Sequence, residues 1–277
     1  MYLAQPSSPN PPPPKLPKMT NVSTPHIIPP TISHKHTVIF LHGRGSDAET
    51  FASEVFESQD SSSRFFTDIF PSVKWIFPRA PFRFPQKDDN DDDMPVSTAE
   101  ERIDEEEKET GETQWFDMAT PQHPQQDPER QKPGLWQSVD LVLKILRHEI
   151  EIVGMQNVVL AGISQGCATG IFSLLASGMQ VGGFVGLCGW LPLAEELNSV
   201  MHVPGRAQAV TKTPVLLQHC KDDQVVPVEN GEDLRMRLEE MRIQVKFDCF
   251  DHGGHWLNEP EGMDGIVRFL QDVFKGT

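Results

Sequence analysis

The fold is indicated most strongly by one segment, Asn157-Val158-Val159-Leu160-Ala161-Gly162-Ile163-Ser164-Gln165-Gly166. Its first half is an apolar run of strand length, and the residues after it, Cys167 to Leu175, are typical of a helix. A Gly-x-Ser-x-Gly sequence between a buried strand and a helix predicts a sharp turn that strains the serine backbone and projects its hydroxyl above the sheet edge. Glycines two positions to either side leave room for this turn. The alternative is a plain Gly/Ser turn, and the rest of the chain decides between the two.

Strand and helix patterns alternate on both sides of this segment. Apolar or alternating runs predict strands at 37–41, 73–77, 183–188, 214–219 and 245–250, and helical spacing covers 135–153, 229–241 and 261–274. This alternation predicts an α/β fold with a mostly parallel central sheet and helices on both faces. Ligands of such sheets bind at the carboxyl ends of the strands. The polar residues discussed below follow such ends.

The composition predicts one folded domain with two irregular segments. Residues 1–33 hold ten of the 24 prolines and lack an apolar period, so we expect a disordered proline-rich arm. Residues 34–277 are then the domain. Within it, residues 87–112 carry 13 acidic and 3 basic side chains, which predicts an acidic, flexible insertion. A docking surface for a basic partner and a calcium site are the functional alternatives, but the glycine of an EF-hand loop is missing.

Charge and cysteine usage exclude several function classes. The formal net charge of −16 disfavours nucleic-acid binding, which needs a basic face. The four cysteines form no CxxC pair and predict buried thiols in a reducing compartment. No apolar run of transmembrane length and no secretory signal is present. We therefore expect a soluble protein of the cytoplasm or nucleus, for which transient contact with a membrane surface stays open.

A catalytic serine needs a base, and histidine is the usual one. On this fold the expected chain order is serine, then acid, then histidine. His252 and His255 both follow the last predicted strand. We favour His255, because the Gly253-Gly254 pair gives its loop the freedom to swing over Ser164.

Two candidates for the acid are adjacent in sequence. Asp222 and Asp223 both follow the strand predicted at 214–219, and one of them is expected to serve only the turn. The residues alone leave this choice open. A metal site is the alternative for this region, formed by His219, Asp222, Asp223 and His255.

Two backbone N–H groups are placed to stabilise a developing oxyanion. One belongs to Gln165, at the start of the predicted helix. The other belongs to Arg44, in the loop His42-Gly43-Arg44-Gly45 after the first predicted strand. A plain glycine turn is the alternative for this loop. This alternative is less favoured because the Ser164 motif is predicted at the same edge of the sheet.

Seven motifs in fixed order resemble the acyl-protein thioesterases, also called the phospholipase/carboxylesterase family of α/β-hydrolases. The resemblance runs from about Thr37 to the C-terminus, without the acidic insertion. The motifs are His42-Gly43-Arg44-Gly45, Pro78-Arg79-Ala80-Pro81, Trp115-Phe116-Asp117, Gly162-Ile163-Ser164-Gln165-Gly166, Gly189-Trp190-Leu191-Pro192-Leu193, Asp222-Asp223-Gln224-Val225-Val226-Pro227 and Gly254-His255.

The resemblance implies a serine hydrolase without a metal or organic cofactor. It assigns Ser164 as nucleophile, Asp223 as acid and His255 as base, with oxyanion donors at Arg44 and Gln165. It implies cleavage of fatty acyl thioesters or esters, such as S-palmitoyl cysteine on proteins, and a role in lipid and fatty acid metabolism. Four apolar residues are candidates for an acyl-binding wall, with core packing as the alternative for each: Trp115, Phe116, Trp190 and Leu191.

The chain departs from the family pattern at three places. Cys167 replaces a glycine after Ser-Gln-Gly, Cys220 replaces the glycine of the His-Gly pair before the acid, and the loop before Gln114 is longer and more acidic. Two rival functions follow. One is a carboxylesterase or lysophospholipase acting on small or lipid esters through the same triad. The other is a non-catalytic binding protein that captures basic partners with the acidic loop.

Overall fold

The computed structural model describes residues 24–84, 111–201 and 209–275. From residue 128 onward, helices and strands alternate along the described chain. The strands are β1 (His26–Ile28), β2 (His36–Leu41), β3 (Val73–Phe77), β4 (Phe82–Arg83), β5 (Thr113–Gln114), β6 (Val158–Ile163), β7 (Gly183–Leu187), β8 (Val215–Cys220) and β9 (Val245–Phe250). The helices are α1 (Ala48–Glu57), α2 (Phe66–Ile69), α3 (Pro128–Val153), α4 (Gln165–Ser177), α5 (Ala194–Met201), α6 (Val228–Glu240) and α7 (Glu261–Lys275).

Seven of these described strands form one sheet in the order β1-β3-β2-β6-β7-β8-β9. All neighbours are parallel except β1, which pairs antiparallel with β3. The register sets Leu41 opposite Gly162 and Ile163 opposite Leu187, so β2, β6 and β7 end side by side. The loops that follow these strands therefore meet at one edge of the sheet, as the sequence predicted.

Helices cover both faces of the sheet. In β2 the side chains alternate, so that Val38 and Phe40 join the core under α1, α2 and α7, whereas Ile39 and Leu41 join the core under α3, α4, α5 and α6. Both cores are almost fully shielded from solvent. Because β6 is buried along its whole length, its sequence is a continuous apolar run and does not alternate between apolar and polar residues. The predicted α/β class with a mostly parallel sheet is confirmed.

The predicted start of the ordered domain was wrong. The proline-rich arm was expected to reach residue 33, but His26–Ile28 forms β1 and pairs with Trp75 to Phe77 on β3. Three paired residues are too few to produce a strand pattern, and the pairing comes from the open edge of β3 rather than from local sequence. Residues 1–23 lie outside the described residues.

The acidic insertion at 87–112 lies almost wholly outside the described residues, apart from Gly111 and Glu112. The described chain on either side is tied together, because β4 and β5 pair antiparallel and Phe84 N–H donates to Glu112 O at 2.9 Å. The predicted helix at 135–153 begins earlier, at Pro128, and ends as expected before Gly154, whose φ of 85° favours glycine.

Every helix among the described residues is too short or too polar to span a membrane. The cytoplasmic or nuclear location stays a prediction.

Candidate active site

Ser164 lies at a strained turn between β6 and α4. Its φ of 56° and ψ of −123° are unusual for a residue with a side chain, and it is held there by its N–H, which donates to Leu187 O at 2.8 Å. A Cβ on Gly162 would lie 2.4 Å from the carbonyl carbon of Gly166, and one on Gly166 would lie 2.3 Å from Leu41 O. Both glycines are therefore required by close backbone contact, which confirms the predicted turn.

Replacing Gly166 with alanine tests this packing. We expect the new methyl group to push the start of α4 away from β2, because backbone atoms surround it and cannot rotate aside. Overpacking of this kind costs about 3 kcal/mol of unfolding free energy, and displacement of Ser164 should lower kcat about a hundredfold or more. Urea unfolding and ester hydrolysis measure the two effects.

The matched control is Gly111→Ala, because a Cβ there meets no atom within 4 Å. Equal stability and equal activity of the two alanine variants would contradict the argument.

Asp223 and His255 form a hydrogen-bonded pair. His255 Nδ1 lies 2.7 Å from Asp223 Oδ2, although 32 residues separate them. The second carboxylate oxygen, Oδ1, accepts the backbone N–H groups of Val225 and Val226 at 2.8 and 2.9 Å. His219 Nε2, whose proton is donated to Val226 O at 2.9 Å, also lies 3.2 Å from Oδ2. Asp223 is thus a buried acceptor surrounded by donors.

These donors keep Asp223 ionised. Burial alone would raise the pKa of its carboxyl, but the hydrogen bonds from His219 and His255 outweigh burial and hold the pKa well below its ordinary value. A permanently ionised carboxylate at Nδ1 keeps the ring proton on that nitrogen and leaves Nε2 of His255 as the basic atom.

The neighbouring Asp222 faces elsewhere. Its carboxylate accepts the backbone N–H groups of Gly254 at 2.8 Å and Gly253 at 3.3 Å. Asp223 therefore contacts the imidazole of His255, whereas Asp222 contacts the loop. These contacts support Asp223 as the acid, and the assignment stays a prediction. The four residues of the alternative metal site consequently do not face one point. Within the described ranges, one set of candidate ligand atoms lies within 4.8 Å of one another: Cys188, Asp223 and His255.

The loop after β2 lies against the serine. A Cβ on Gly43 would be 3.6 Å from Ser164 Cβ, an ordinary van der Waals distance, so the backbone of His42-Gly43-Arg44-Gly45 runs directly beside the serine. Arg44 lines the same cavity as Ser164. Gln165 is the first residue of α4, where the N–H has no partner inside the helix. Both predicted oxyanion donors thus belong to segments next to Ser164.

His42 shapes this loop as a neutral side chain. It is fully buried, and its Nε2 must accept because Ala80 N–H donates to it at 3.1 Å. The proton therefore lies on Nδ1, which donates to Gly43 O at 2.7 Å. Burial lowers the pKa of His42 to about 4.

This shift predicts a pH-dependent stability. Unfolded His42 has an ordinary pKa of about 6.5 and takes up a proton that the folded protein excludes, so stability is full above pH 6.5 and falls as the pH drops toward 4. The wild type should lose about 2 kcal/mol of unfolding free energy from this group between pH 7 and 4.5. Urea unfolding at both pH values, compared with His42→Gln, measures it. An identical pH dependence in the two proteins would refute the assignment.

Gln165 connects the serine turn to the Trp115-Phe116-Asp117 segment. Its side chain accepts Trp115 N–H at 2.8 Å and donates to Phe116 O at 2.8 Å. Trp115 Nε1 in turn donates to His42 O at 2.9 Å. These bonds tie the two oxyanion segments to each other through buried groups, which fixes the distance between the two predicted N–H donors.

A cavity of about 410 Å³ opens at Ser164 and His255. Its polar lining includes Arg44 and Glu54. Its apolar lining consists of Phe51, Phe84, Met118, Pro121, Ile163, Trp190, Val225 and Trp256. Of these only Trp190 was among the predicted acyl-wall residues. Trp256 could have been predicted to line the cavity, because it directly follows His255 in sequence. Phe84 and Met118 belong to no recognised motif, so no signal in the sequence indicated them.

Three predicted acyl-wall residues do not line this cavity. Trp115, Phe116 and Leu191 are at most 1 % exposed and belong to the core under α3 and α4. Their prediction as cavity-lining residues was wrong, and the alternative of core packing holds. For Trp115 and Phe116 the reason is backbone hydrogen bonding to the Gln165 side chain, which turns their side chains toward the core rather than toward the cavity opening.

The two cysteines that replace family glycines are accommodated by glycines opposite them. A Cβ on Gly189 would lie 2.3 Å from Cys167 Sγ, and one on Gly253 would lie 2.7 Å from Cys220 Sγ. Burial raises the pKa of Cys167 to about 12 and that of Cys220 to about 11, so both thiols are inert at neutral pH. Cys167 packs against the segment after β7, and Cys220 packs against the loop that carries His255.

A second cavity, of about 430 Å³, lies between β1, β3 and α3. It is lined by Ile27, Ile76, Leu141 and Ile145 with Lys144 at its rim, and by none of the predicted catalytic residues. The chemistry is therefore expected at the Ser164 cavity.

Comparison with known proteins identifies the family of the chain. A family profile described as phospholipase/carboxylesterase matches residues 95–274, more than half of the chain. Acyl-protein thioesterase 1 of Schizosaccharomyces pombe is 24% identical over 249 residues, covering 89% of this chain and 95% of the relative. Carboxylesterase SOBER1 of Arabidopsis thaliana is 27% identical over 241 residues, covering 87% and 91%.

Solved structures agree on the fold. The structure of Zea mays acyl-protein thioesterase 2 superposes with a TM-score of 0.66 at 24% identity, over 90% of this chain and 98% of that one. The predicted α/β-hydrolase fold and the resemblance stated from the motifs are both confirmed. The chain belongs to the phospholipase/carboxylesterase family of α/β-hydrolases.

Proposed function

We propose that this protein is a serine hydrolase that cleaves acyl thioester or ester bonds through an acyl-enzyme on Ser164. The observation that carries the proposal is the Asp223–His255 pair, joined at 2.7 Å, whose histidine lines the same cavity as a serine held at a strained strand-to-helix turn. A binding protein has no need of this combination of an ionised acid, an oriented imidazole and a projecting hydroxyl.

The proposed reaction uses these groups in turn. His255 Nε2 takes the hydroxyl proton while Ser164 Oγ attacks the acyl carbonyl. The tetrahedral oxyanion accepts the backbone N–H groups of Arg44 and Gln165. As the intermediate collapses, the leaving thiol or alcohol takes the proton from His255 and the acyl group stays on Ser164. A water molecule, deprotonated by the same histidine, then releases the carboxylic acid and restores the serine.

For the substrate we propose S-acylated proteins, in particular those with S-palmitoyl cysteine. The apolar lining of the Ser164 cavity suits a hydrocarbon chain, because burial of each methylene group is favourable by about 0.8 kcal/mol. The relatives called acyl-protein thioesterases support the same substrate class. The protein partners of this chain would then be acylated proteins that present the modified cysteine at the cavity mouth.

The carboxylesterase function is the second candidate. The relative named carboxylesterase SOBER1 supports it, and so does the moderate cavity volume of about 410 Å³. The same triad serves small or lipid esters.

A chain-length series separates the two candidates. The purified protein is given a palmitoyl-cysteine peptide, the octanoyl and butyryl versions of that peptide, and a short-chain oxyester, with Ser164→Ala as the background control. A kcat/KM that rises with acyl length on the peptide supports the depalmitoylating function. Turnover of the short oxyester alone supports the carboxylesterase, and no Ser164-dependent turnover of any substrate overturns the proposal.

A further inference from the structure

The loop that carries His255 is fixed by few contacts of its own. It runs from the end of β9 to α7 and contains Gly253 and Gly254, whose φ angles are 140° and 63°. Such positive values are accessible to glycine, but glycine also adopts many other conformations at little cost. Unless hydrogen bonds select one conformation, His255 would have no fixed position relative to Ser164.

Asp222 supplies two of these hydrogen bonds. Its Oδ1 accepts Gly254 N–H at 2.8 Å, and its Oδ2 accepts Gly253 N–H at 3.3 Å. Two successive N–H groups of a glycine turn form a concave donor site that suits a carboxylate. The bond from Gly254 is the main reason why the pKa of Asp222 lies below its ordinary value, so the acceptor is charged at neutral pH.

The other contacts of the loop lie on either side of these two residues. The bond between His255 Nδ1 and Asp223 Oδ2 at 2.7 Å holds the imidazole ring and not the backbone before it. Asn258 Nδ2 donates to His252 O at 2.8 Å, and Cys188 Sγ lies 3.6 Å from Trp256 O. Neither contact reaches the residue that immediately precedes His255. Asp222 therefore holds the part of the loop from which the imidazole projects.

We propose that Asp222 is a positioning residue for the hydrolysis proposed above, on which this inference rests. The two adjacent aspartates after β8 would then have complementary roles, because Asp223 orients the imidazole ring and Asp222 fixes the backbone to which that ring is attached. Because Asp222 touches neither substrate nor the reacting atoms, its effect on the reaction passes through the position of His255.

The test compares Asp222→Ala with Asp222→Asn in the full chain. Alanine removes both acceptors, and a base displaced by about 1 Å can cost a hundredfold in rate. We expect kcat to fall about thirty- to a hundredfold in Asp222→Ala with KM within about twofold of wild type. The Asn side chain keeps one oxygen for Gly254 N–H, so Asp222→Asn should recover kcat to within about fivefold. A general structural defect would not produce this split or this recovery.

Two further measurements separate the outcomes. Asp251→Ala is the control, because Asp251 lies on the same loop as His255. This substitution removes only the exposed ion pair with Lys221 and keeps the hydrogen bonds of the two glycine N–H groups. The Asp222→Ser variant should lose activity as Asp222→Ala does, because the serine hydroxyl is too short to reach the loop. It takes the place of Asp222→Ala in the test if the alanine variant does not fold. Wild-type kcat in the Ser or Ala variant would overturn this inference alone. Absence of Ser164-dependent turnover in the wild type would overturn the proposed function itself.

Discussion

Replacing Ser164 with alanine is expected to lower kcat for ester or thioester hydrolysis by about a millionfold, to the level of the uncatalysed background. The reason is that no other nucleophile replaces the hydroxyl, so formation of the acyl-enzyme stops. The strained backbone is unchanged by the substitution, because alanine and serine meet the same steric limits at a φ of 56°. The measurement is steady-state turnover of the preferred acyl substrate by both proteins.

The control for this prediction is the fold. Ser164 is buried and its side chain is small, so circular dichroism and the thermal midpoint should match those of the wild type. Substrate affinity should also persist, since the cavity lining is intact. Residual turnover above about one per cent in a folded Ser164→Ala protein would show that another residue performs the attack.

Replacing Asp223 with asparagine is expected to lower kcat about ten-thousandfold with a small change in KM. The surrounding donors dictate how the amide sits. Val225 and Val226 N–H groups require an acceptor at 2.8 and 2.9 Å, so the amide oxygen stays there and the NH₂ group faces His255. An NH₂ donor at Nδ1 forces the ring proton onto Nε2, and the histidine then has no lone pair to accept the serine proton.

The matched control is Asp222→Asn, which changes the adjacent residue in the same way and should stay within about fivefold of wild type. The pH dependence of kcat/KM measured on all three proteins adds a second readout. A loss of turnover in Asp222→Asn together with retained turnover in Asp223→Asn would reverse the roles of the two aspartates.

The fold was predictable where the signal is local and repeated. The buried run before Ser164 and the apolar spacing of α3 specify strand and helix by themselves, since long amphipathic or fully buried patterns have few alternatives. Elements fixed by distant partners were missed. β1 exists because β3 offers an open edge, and the β4–β5 pair has only two residues in each strand. α1 was missed despite a readable signal, the Asp47 N-cap that accepts the N–H groups of Glu49 and Thr50.

The site was predictable to the extent that its residues follow strand ends. Ser164, Asp223 and His255 all belong to loops after parallel strands, and chain order on this fold narrows the choice. The cavity wall was not predictable in the same way, because whether an aromatic side chain faces a cavity or a core depends on backbone bonds. Trp115 faces inward because of its bond to Gln165, whereas Trp190 reaches the cavity. The role proposed for Asp222 likewise depends on contacts across 32 residues.

Covalent labelling tests the triad most directly. The purified protein, active on its acyl substrate, is treated with a fluorophosphonate probe, digested and analysed by tandem mass spectrometry, beside His255→Gln and the control His252→Gln. We expect a single modified residue, Ser164, with labelling slowed about a thousandfold or more in His255→Gln and unchanged in His252→Gln. A label on another residue in the active protein, or equal labelling rates in wild type and His255→Gln, would contradict the proposed triad.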